Sequence, residues 1–126
     1  MQNISFALTT EQVRHGFAGG TIQKDVTRRL GWLKLKAGDR LRACVKCMGL
    51  KKGQKPEVLG IIEVVSVRRE PLHFITADDV RREGFRDKGR EWFIAMFRKS
   101  HKNPRTRKPI QRRHIVTRIE FRYVRE

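Results

Sequence analysis

The chain has 126 residues, a length that suits one domain with a single hydrophobic core, over residues 1–126. Apolar residues make up 38%, and 30 Lys and Arg against 13 Asp and Glu give a formal net charge of +17. No apolar run is long enough to span a bilayer and the N-terminus lacks the layout of a signal peptide, so we expect a cytoplasmic protein with no membrane partner. So large a positive charge favours an anionic partner, most commonly nucleic acid, although a generally solvated basic surface is the alternative.

Short strands and one helix are predicted for the first half of the chain. An apolar run over 4–8 predicts a strand, and Thr9 or Thr10 can cap a helix that continues to about His15. Beyond a glycine-rich loop and a turn at Gly38-Asp39, a strand is predicted over 40–46. The segment LGIIEVVSV is apolar on both alternating faces, which is typical of a central buried strand.

Two cysteines, Cys44 and Cys47, form a Cys-x-x-Cys motif. One such pair supplies half of a zinc site, and neither a second pair nor two histidines at ligand spacing complete it. The apolar and polar residues around Cys44 alternate, so both cysteines are predicted to be strand positions that point to opposite faces. Metal or redox chemistry is the alternative; we expect no metal and no cofactor.

Two helices and a closing strand are predicted for the second half. Thr76 is the predicted N-cap of a helix that Gly84 ends, and Ile115 to Val124 alternates as a strand. Between them, four residues at helical spacing begin another helix and are predicted to be core and not a base-stacking surface: Trp92, Phe93, Met96 and Phe97. This order of elements indicates an α+β fold with helices packed over the ends of a curled sheet.

Basic residues that could contact phosphate lie in two main segments. Arg28 and Arg29 offer forked donors that match phosphate, with solvated strand ends as the alternative. The second segment is a basic loop, flanked by His101 and His114, that could equally be a solvated face; it holds Lys102, Arg105, Arg107, Lys108, Arg112 and Arg113. A weaker patch holds Lys51, Lys52 and Lys55. Aromatic residues do not interleave with either loop, so backbone contact is predicted without sequence readout, and Trp32 is the candidate for stacking on a base.

Several ordered landmarks together resemble an ASCH domain, of the PUA-like superfamily. They are Lys24-Asp25-Val26-Thr27-Arg28-Arg29, the Gly38-Asp39 turn, LGIIEVVSV, the segment from Thr76 to Phe85, and the terminal Ile119-Glu120-Phe121. The resemblance extends from Phe6 to Val124. It implies a small, partly open β-barrel with flanking helices and a cleft lined by the Lys24 loop, in a family whose members are thought to handle RNA or modified nucleosides.

One branch of that family resembles an acetylcytidine amidohydrolase, which uses a Lys, a Thr and a Glu. Lys24 and Thr27 keep the family spacing, and Glu83 follows Thr76 at the family distance, so the resemblance implies these three as catalytic residues. The motif departs from the family at Ile22, where a Gly is usual, and at Asp25, where a small or hydroxyl residue is usual. We expect Asp25 to favour the charged form of Lys24, whereas the neighbouring arginines lower the lysine's pKa.

Three functions remain open at this point. The favoured one is binding of RNA or a nucleotide by a monomer, through the cleft from Lys24 to Arg29 and the basic loop. The alternative is an amidohydrolase acting on an acylated cytidine-like base. The third is a metal-dependent ribonuclease, which would want clustered carboxylates such as Asp78, Asp79 and Glu83.

Overall fold

A computed structural model describes residues 1–47 and 50–125. Five strands form one mixed sheet: β1 (Asn3–Ser5), β2 (Val26–Arg29), β3 (Arg40–Cys44), β4 (Val58–Pro71) and β5 (Ile115–Tyr123). The sheet order is β1-β3-β4-β5-β2, with β1 parallel to β3 and every other described pairing antiparallel. The edge strands β1 and β2 do not pair with each other, so the sheet curls without closing. The predicted α+β fold with a partly open barrel is confirmed.

Three helices and a short 3-10 turn complete the described part of the chain. They are α1 (Thr10–Phe17), α2 (Ala77–Arg82) and α3 (Arg90–Ser100), with the turn over Leu72–Phe74 between β4 and α2. Among the described residues, none of these helices has the length and hydropathy needed to cross a bilayer. The predicted cap of α2 is confirmed, because the Thr76 hydroxyl accepts a 3.0 Å hydrogen bond from the Asp79 amide.

The core is divided into two clusters of buried side chains. The first lies between α1 and the sheet and includes Phe6, Ile62 and Phe121. The second lies under α2 and α3 and includes Phe93 and Phe97. Trp92 departs from its predicted core position: it is 39% exposed and packs on Phe85 at the edge of the second cluster.

Strand β3 is shorter than predicted, which separates the two cysteines. Its pairing with β4 shifts register between Ala43 and Cys44, and the strand ends there. Cys44 is fully buried, whereas Cys47 lies beyond the strand, so the prediction of two strand cysteines is wrong for Cys47. In contrast, β4 continues to Pro71, past the apolar segment that predicted it, because its second half pairs with β5.

Candidate functional site

A cavity of about 260 Å³ is lined by residues from both edges of the open sheet. The chain that leaves β1 forms one wall, β2 forms the second, and the last turns of α3 form the third. The cavity therefore lies where the two core clusters meet. Its lining residues are Ser5, Phe6, Ala7, Leu8, Thr9, Lys24, Thr27, Arg28, Arg29, Glu83, Phe85, Phe93, Met96, Phe97, Ser100 and His101. The structure thus brings Lys24, Thr27 and Glu83 together, as the resemblance implied.

Lys24 lines the cavity and is buried, with only 2% of its surface exposed. Its ammonium group donates three hydrogen bonds, at 2.8 Å to the Val26 carbonyl, at 2.8 Å to the Glu83 carbonyl and at 3.1 Å to Glu83 Oε1. The Tyr123 hydroxyl fixes the backbone by donating to the Lys24 carbonyl at 2.6 Å. Burial lowers the pKa of Lys24 below its ordinary value, the Glu83 carboxylate opposes that shift, and Arg29 adds to it.

Asp25 does not act on Lys24 as expected from the sequence. Its carboxylate receives hydrogen bonds from Arg82 Nε at 2.9 Å and Arg82 Nη2 at 3.2 Å, and its amide donates to the Arg82 carbonyl. The two acidic residues near this segment have different partners: Asp25 binds an arginine of α2, while Glu83 faces the cavity. The electrostatic influence assigned to Asp25 therefore belongs to Glu83.

Arg28 lies in the protein interior and not at a phosphate-binding surface. Its side chain is fully buried, and it donates to Glu83 Oε2 at 3.1 Å and to Asp79 Oδ2 at 2.7 Å. Glu70 lies 3.9 Å away. Arg28 therefore cannot grip a ligand phosphate without breaking these ion pairs; its place in the site is to hold the Glu83 carboxylate. The sequence could not show this, because the acids come from β4 and α2.

Asp79 joins Arg28 to a second buried arginine. Arg118 donates to it through Nε at 2.7 Å and Nη2 at 3.1 Å. Burial by itself would raise the pKa of Asp79, but the hydrogen bonds from Arg118 and Arg28 outweigh burial and leave the pKa well below its ordinary value. Arg118 comes from β5 and is buried together with Asp79.

Arg29 keeps donors available for a ligand. Its Nη2 donates to the Ser5 carbonyl at 2.6 Å, its Nε donates to the Thr27 hydroxyl at 3.1 Å, and its guanidinium carbon lies 5.2 Å from the centre of the Phe6 ring. The side chain thus bridges the open edges of the sheet. Within the described chain its Nη1 has no hydrogen-bond partner. Thr27 accepts from Arg29 and so retains its own hydroxyl proton for another partner.

His101 lines the cavity, whereas from the sequence it was predicted only to flank the basic loop. Its ring is stacked on Phe97, with centroids 3.7 Å apart and planes at 8°. Phe93, Phe97 and His101 are each four positions apart, which places the three along one side of α3 and its C-terminal cap. That spacing was the signal that could have identified His101 as a cavity residue.

The predicted basic loop forms a hairpin that starts at His101. The Ile110 amide donates to the His101 carbonyl, the Asn103 amide donates to the Lys108 carbonyl, and the Arg107 amide donates back to Asn103. The exposed cations of this basic hairpin are Lys102, Arg105, Arg107 and Lys108, and Arg113 is exposed just beyond it. Arg112 differs, because it forms a two-point ion pair with Glu91 at 2.6 and 2.9 Å.

Trp32 lies outside the cavity. It has a positive φ of 56°, packs partly against the first core cluster, and lines a separate groove with Leu33 and Leu35. Base stacking beside Lys24 is therefore not available to it. Lys51, Lys52 and Lys55 are exposed on the loop before β4.

The carboxylates considered for a metal-dependent reaction are directed at cations of the protein. Asp78 pairs with Arg81 on the exposed side of α2, while Asp79 and Glu83 pair with Arg28 in the interior. Over residues 1–47 and 50–125, no group of three or more His, Cys, Asp or Glu side chains is arranged to hold a metal ion.

Comparison with solved structures identifies the fold. No family model and no curated protein matches the chain. An ASCH domain from Lactobacillus crispatus JV V101 superposes with a TM-score of 0.65 at 16% identity, covering 98% of this chain and 77% of that one. A DUF984 protein from Enterococcus faecalis V583 superposes with a TM-score of 0.59 at 16% identity, covering 90% and 70%. At this identity the likeness establishes the fold, which is that of an ASCH domain.

Proposed function

We propose that this ASCH-fold chain binds RNA or a nucleotide, with a base in the Lys24 cavity and phosphates at Arg29 and the basic hairpin. The observation that carries the proposal is the composition of the cavity wall. Phe6, Phe93 and Phe97 supply aromatic surface, and Arg29 and Thr27 supply polar groups with hydrogen-bonding capacity to spare. Small-molecule sites combine mostly apolar walls with a few placed polar groups in this way.

The size of the cavity suits part of a nucleotide. Its volume of about 260 Å³ lies just below the range of about 300–1,000 Å³ that is typical of small-molecule sites. A single base fits such a volume, and the attached sugar and phosphate then remain at the mouth. Arg29 lines the cavity, and the basic hairpin starts at His101 on the cavity wall. Phosphates on either side of the bound base would therefore meet cations.

The net charge of +17 supplies the second argument. Each phosphate contact made by a Lys or Arg releases condensed counterions, so affinity for RNA should fall steeply with salt. The basic hairpin carries four exposed cations within residues 102–108, which concentrates positive potential beside the cavity. If the whole basic surface bound RNA uniformly, the salt dependence of the affinity would not change more for this segment than for any other.

Salt titrations of RNA affinity test this proposal. We expect a variant with Lys102, Arg105, Arg107 and Lys108 all changed to Ala to flatten the plot of log affinity against log salt, by about 0.7 for each lost contact on single-stranded RNA. The matched control changes four exposed lysines elsewhere to Ala, namely Lys34, Lys36, Lys46 and Lys88. Fluorescence anisotropy with a labelled single-stranded RNA between about 50 and 200 mM salt gives both slopes. Equal slopes in the two variants would assign binding to net charge and remove the hairpin from the site.

One arrangement favours a second candidate, hydrolysis of an acylated cytidine-like base. Lys24, Thr27 and Glu83 line one cavity, and burial lowers the pKa of Lys24, as a lysine that accepts a proton requires. In this reaction water adds to the acyl carbonyl, the C–N bond breaks, and acetate and the free amine leave. The substitution Thr27→Val removes the hydroxyl and keeps the shape. Acetate release from acetylcytidine by the wild type and not by Thr27→Val would establish the reaction; no release at high protein concentration would leave binding alone.

A further inference from the structure

His101 presents the cavity with a fixed tautomer. Its Nδ1 lies 2.9 Å from the carbonyl oxygen of Phe97, which can only accept, so the neutral ring carries its proton on Nδ1. The lone pair is then on Nε2, at the opposite edge of the ring. Stacking on Phe97 holds the ring plane, because the two rings are nearly parallel at 3.7 Å. The imidazole is thus a hydrogen-bond acceptor whose orientation is set before any ligand arrives.

The electrostatic surroundings of His101 favour its neutral form, in which Nε2 is an acceptor. Burial lowers the pKa of His101, the Phe97 carbonyl opposes the shift, and Arg29 adds to it. The charged groups that line the same cavity are Lys24, Arg28 and Arg29 on one side and Glu83 on the other. Burial is the largest of these effects, so the neutral ring is favoured.

The other titratable side chains of the described cavity wall offer no acceptor that is free of the protein's own cations. All three protons of the Lys24 ammonium are donated within the protein. The two oxygens of Glu83 accept from Lys24 and Arg28, and arginine side chains only donate. Nε2 of His101 has no hydrogen-bond partner among the described residues. The side chain is only partly buried and lines the cavity, where a ligand can reach it.

We propose that His101 is a specificity-determining residue of the cavity, whose Nε2 accepts a hydrogen bond from an N–H group of the bound base. This inference rests on the proposed function and narrows it to bases that present an amino or imino donor to α3. A base without such a donor leaves Nε2 desolvated and unpaired, which is the basis of strong rejection in polar sites. Arg29 would then donate hydrogen bonds to acceptor atoms of the ligand, and His101 would accept one from a donor group of the ligand.

Matched nucleotide pairs test the inference. The probes are CMP with N4,N4-dimethyl-CMP, AMP with N6,N6-dimethyl-AMP, and UMP with 3-methyl-UMP, in which methylation removes the donor. We expect the wild type to bind at least one parent nucleotide about ten-fold more tightly than its methylated partner. His101→Phe keeps the stack on Phe97 and should abolish that preference, and His101→Gln, whose amide oxygen can accept, should restore part of it. His15→Phe on α1, outside the cavity, is the control and should bind like the wild type.

A nitrogen NMR spectrum of the wild type supplies a readout that does not depend on a variant folding. Long-range proton–nitrogen correlations should show His101 protonated on Nδ1, and the Nε2 resonance should move when the preferred parent nucleotide is added. An Nε2–H tautomer, or a preference unchanged in His101→Phe, would overturn the inference while leaving the proposed function intact. Failure of the wild type to bind RNA and every probe would overturn both.

Discussion

Exchange of Asp79 for Asn should destabilise the protein far more than the same exchange at its neighbour Asp78. Asp79 is 4% exposed and neutralises two buried guanidinium groups, from Arg28 and Arg118, through three hydrogen bonds of 2.7 to 3.1 Å. Asn keeps the shape but lacks the charge, and its amide NH₂ would face a guanidinium. Removing one partner of a buried ion pair costs about 3–5 kcal/mol. Arg28 would keep Glu83 at 3.1 Å, but Arg118 would keep only Glu120 at 3.7 Å, so its buried charge would lose its close partner.

The control follows from the opposite environment of Asp78. Its carboxylate is exposed and pairs with the exposed side chain of Arg81 one helical turn away. Such a pair, together with the helix dipole, stabilises by about 0.3–1 kcal/mol. The two substitutions are chemically identical and adjacent in sequence. The difference between their effects on the free energy of unfolding therefore reports the buried environment of Asp79.

Urea unfolding followed by circular dichroism measures both variants. With a slope of about 1.5 kcal/mol per molar urea, Asp79→Asn should lower the midpoint by about 2–3 M, and Asp78→Asn by less than about 0.7 M. A loss of this size removes a large part of the about 5–15 kcal/mol that stabilises an ordinary protein. If the midpoints of the two variants agree within about 0.7 M, the buried network does not have the energetic role derived from its geometry.

The same residue gives a pH dependence with a definite sign. The pKa of Asp79 is lower in the folded protein than in the unfolded chain, so its contribution to stability is present above the unfolded value of about 3.9 and is lost as the pH falls below it. The wild type should lose more stability than Asp79→Asn between neutral pH and acid. Parallel pH profiles for the two proteins would contradict the low pKa.

Two further outcomes are expected. Cys44 is fully buried, and burial is the main cause that raises its pKa to about 11, so an alkylating reagent at mildly alkaline pH should label it only after unfolding. Rapid labelling of Cys44 itself in the native protein, distinguished from Cys47 by peptide mass spectrometry, would contradict its placement. Gly16→Ala should destabilise by about 1–3 kcal/mol, because the added methyl would overlap the ring of Tyr123, which holds the Lys24 carbonyl. Gly89→Ala, where the methyl meets nothing within 4 Å, is its control in the same thermal unfolding measurement.

Local physical chemistry made much of the fold readable from the sequence. Capping and strand alternation depend on residues close together in the chain, so the start of α2 at Thr76 and the closing strand from Ile115 followed from their neighbours alone. The resemblance gave the open barrel and the grouping of Lys24, Thr27 and Glu83 around one cleft. Their chemical roles stay predictions.

Tertiary structure decided which charges are available to a ligand. Arg28 and Arg29 are adjacent and chemically identical, yet α2 and β4 bring acids to the first, while the open sheet edge leaves donors of the second free. Likewise, His101 lines the cavity only because the end of α3 and strand β2 form two of its walls. A sequence records which side chains are charged; only the packing of distant segments determines whether water, a counter-ion or a ligand compensates each charge, because desolvation is a property of the assembled fold.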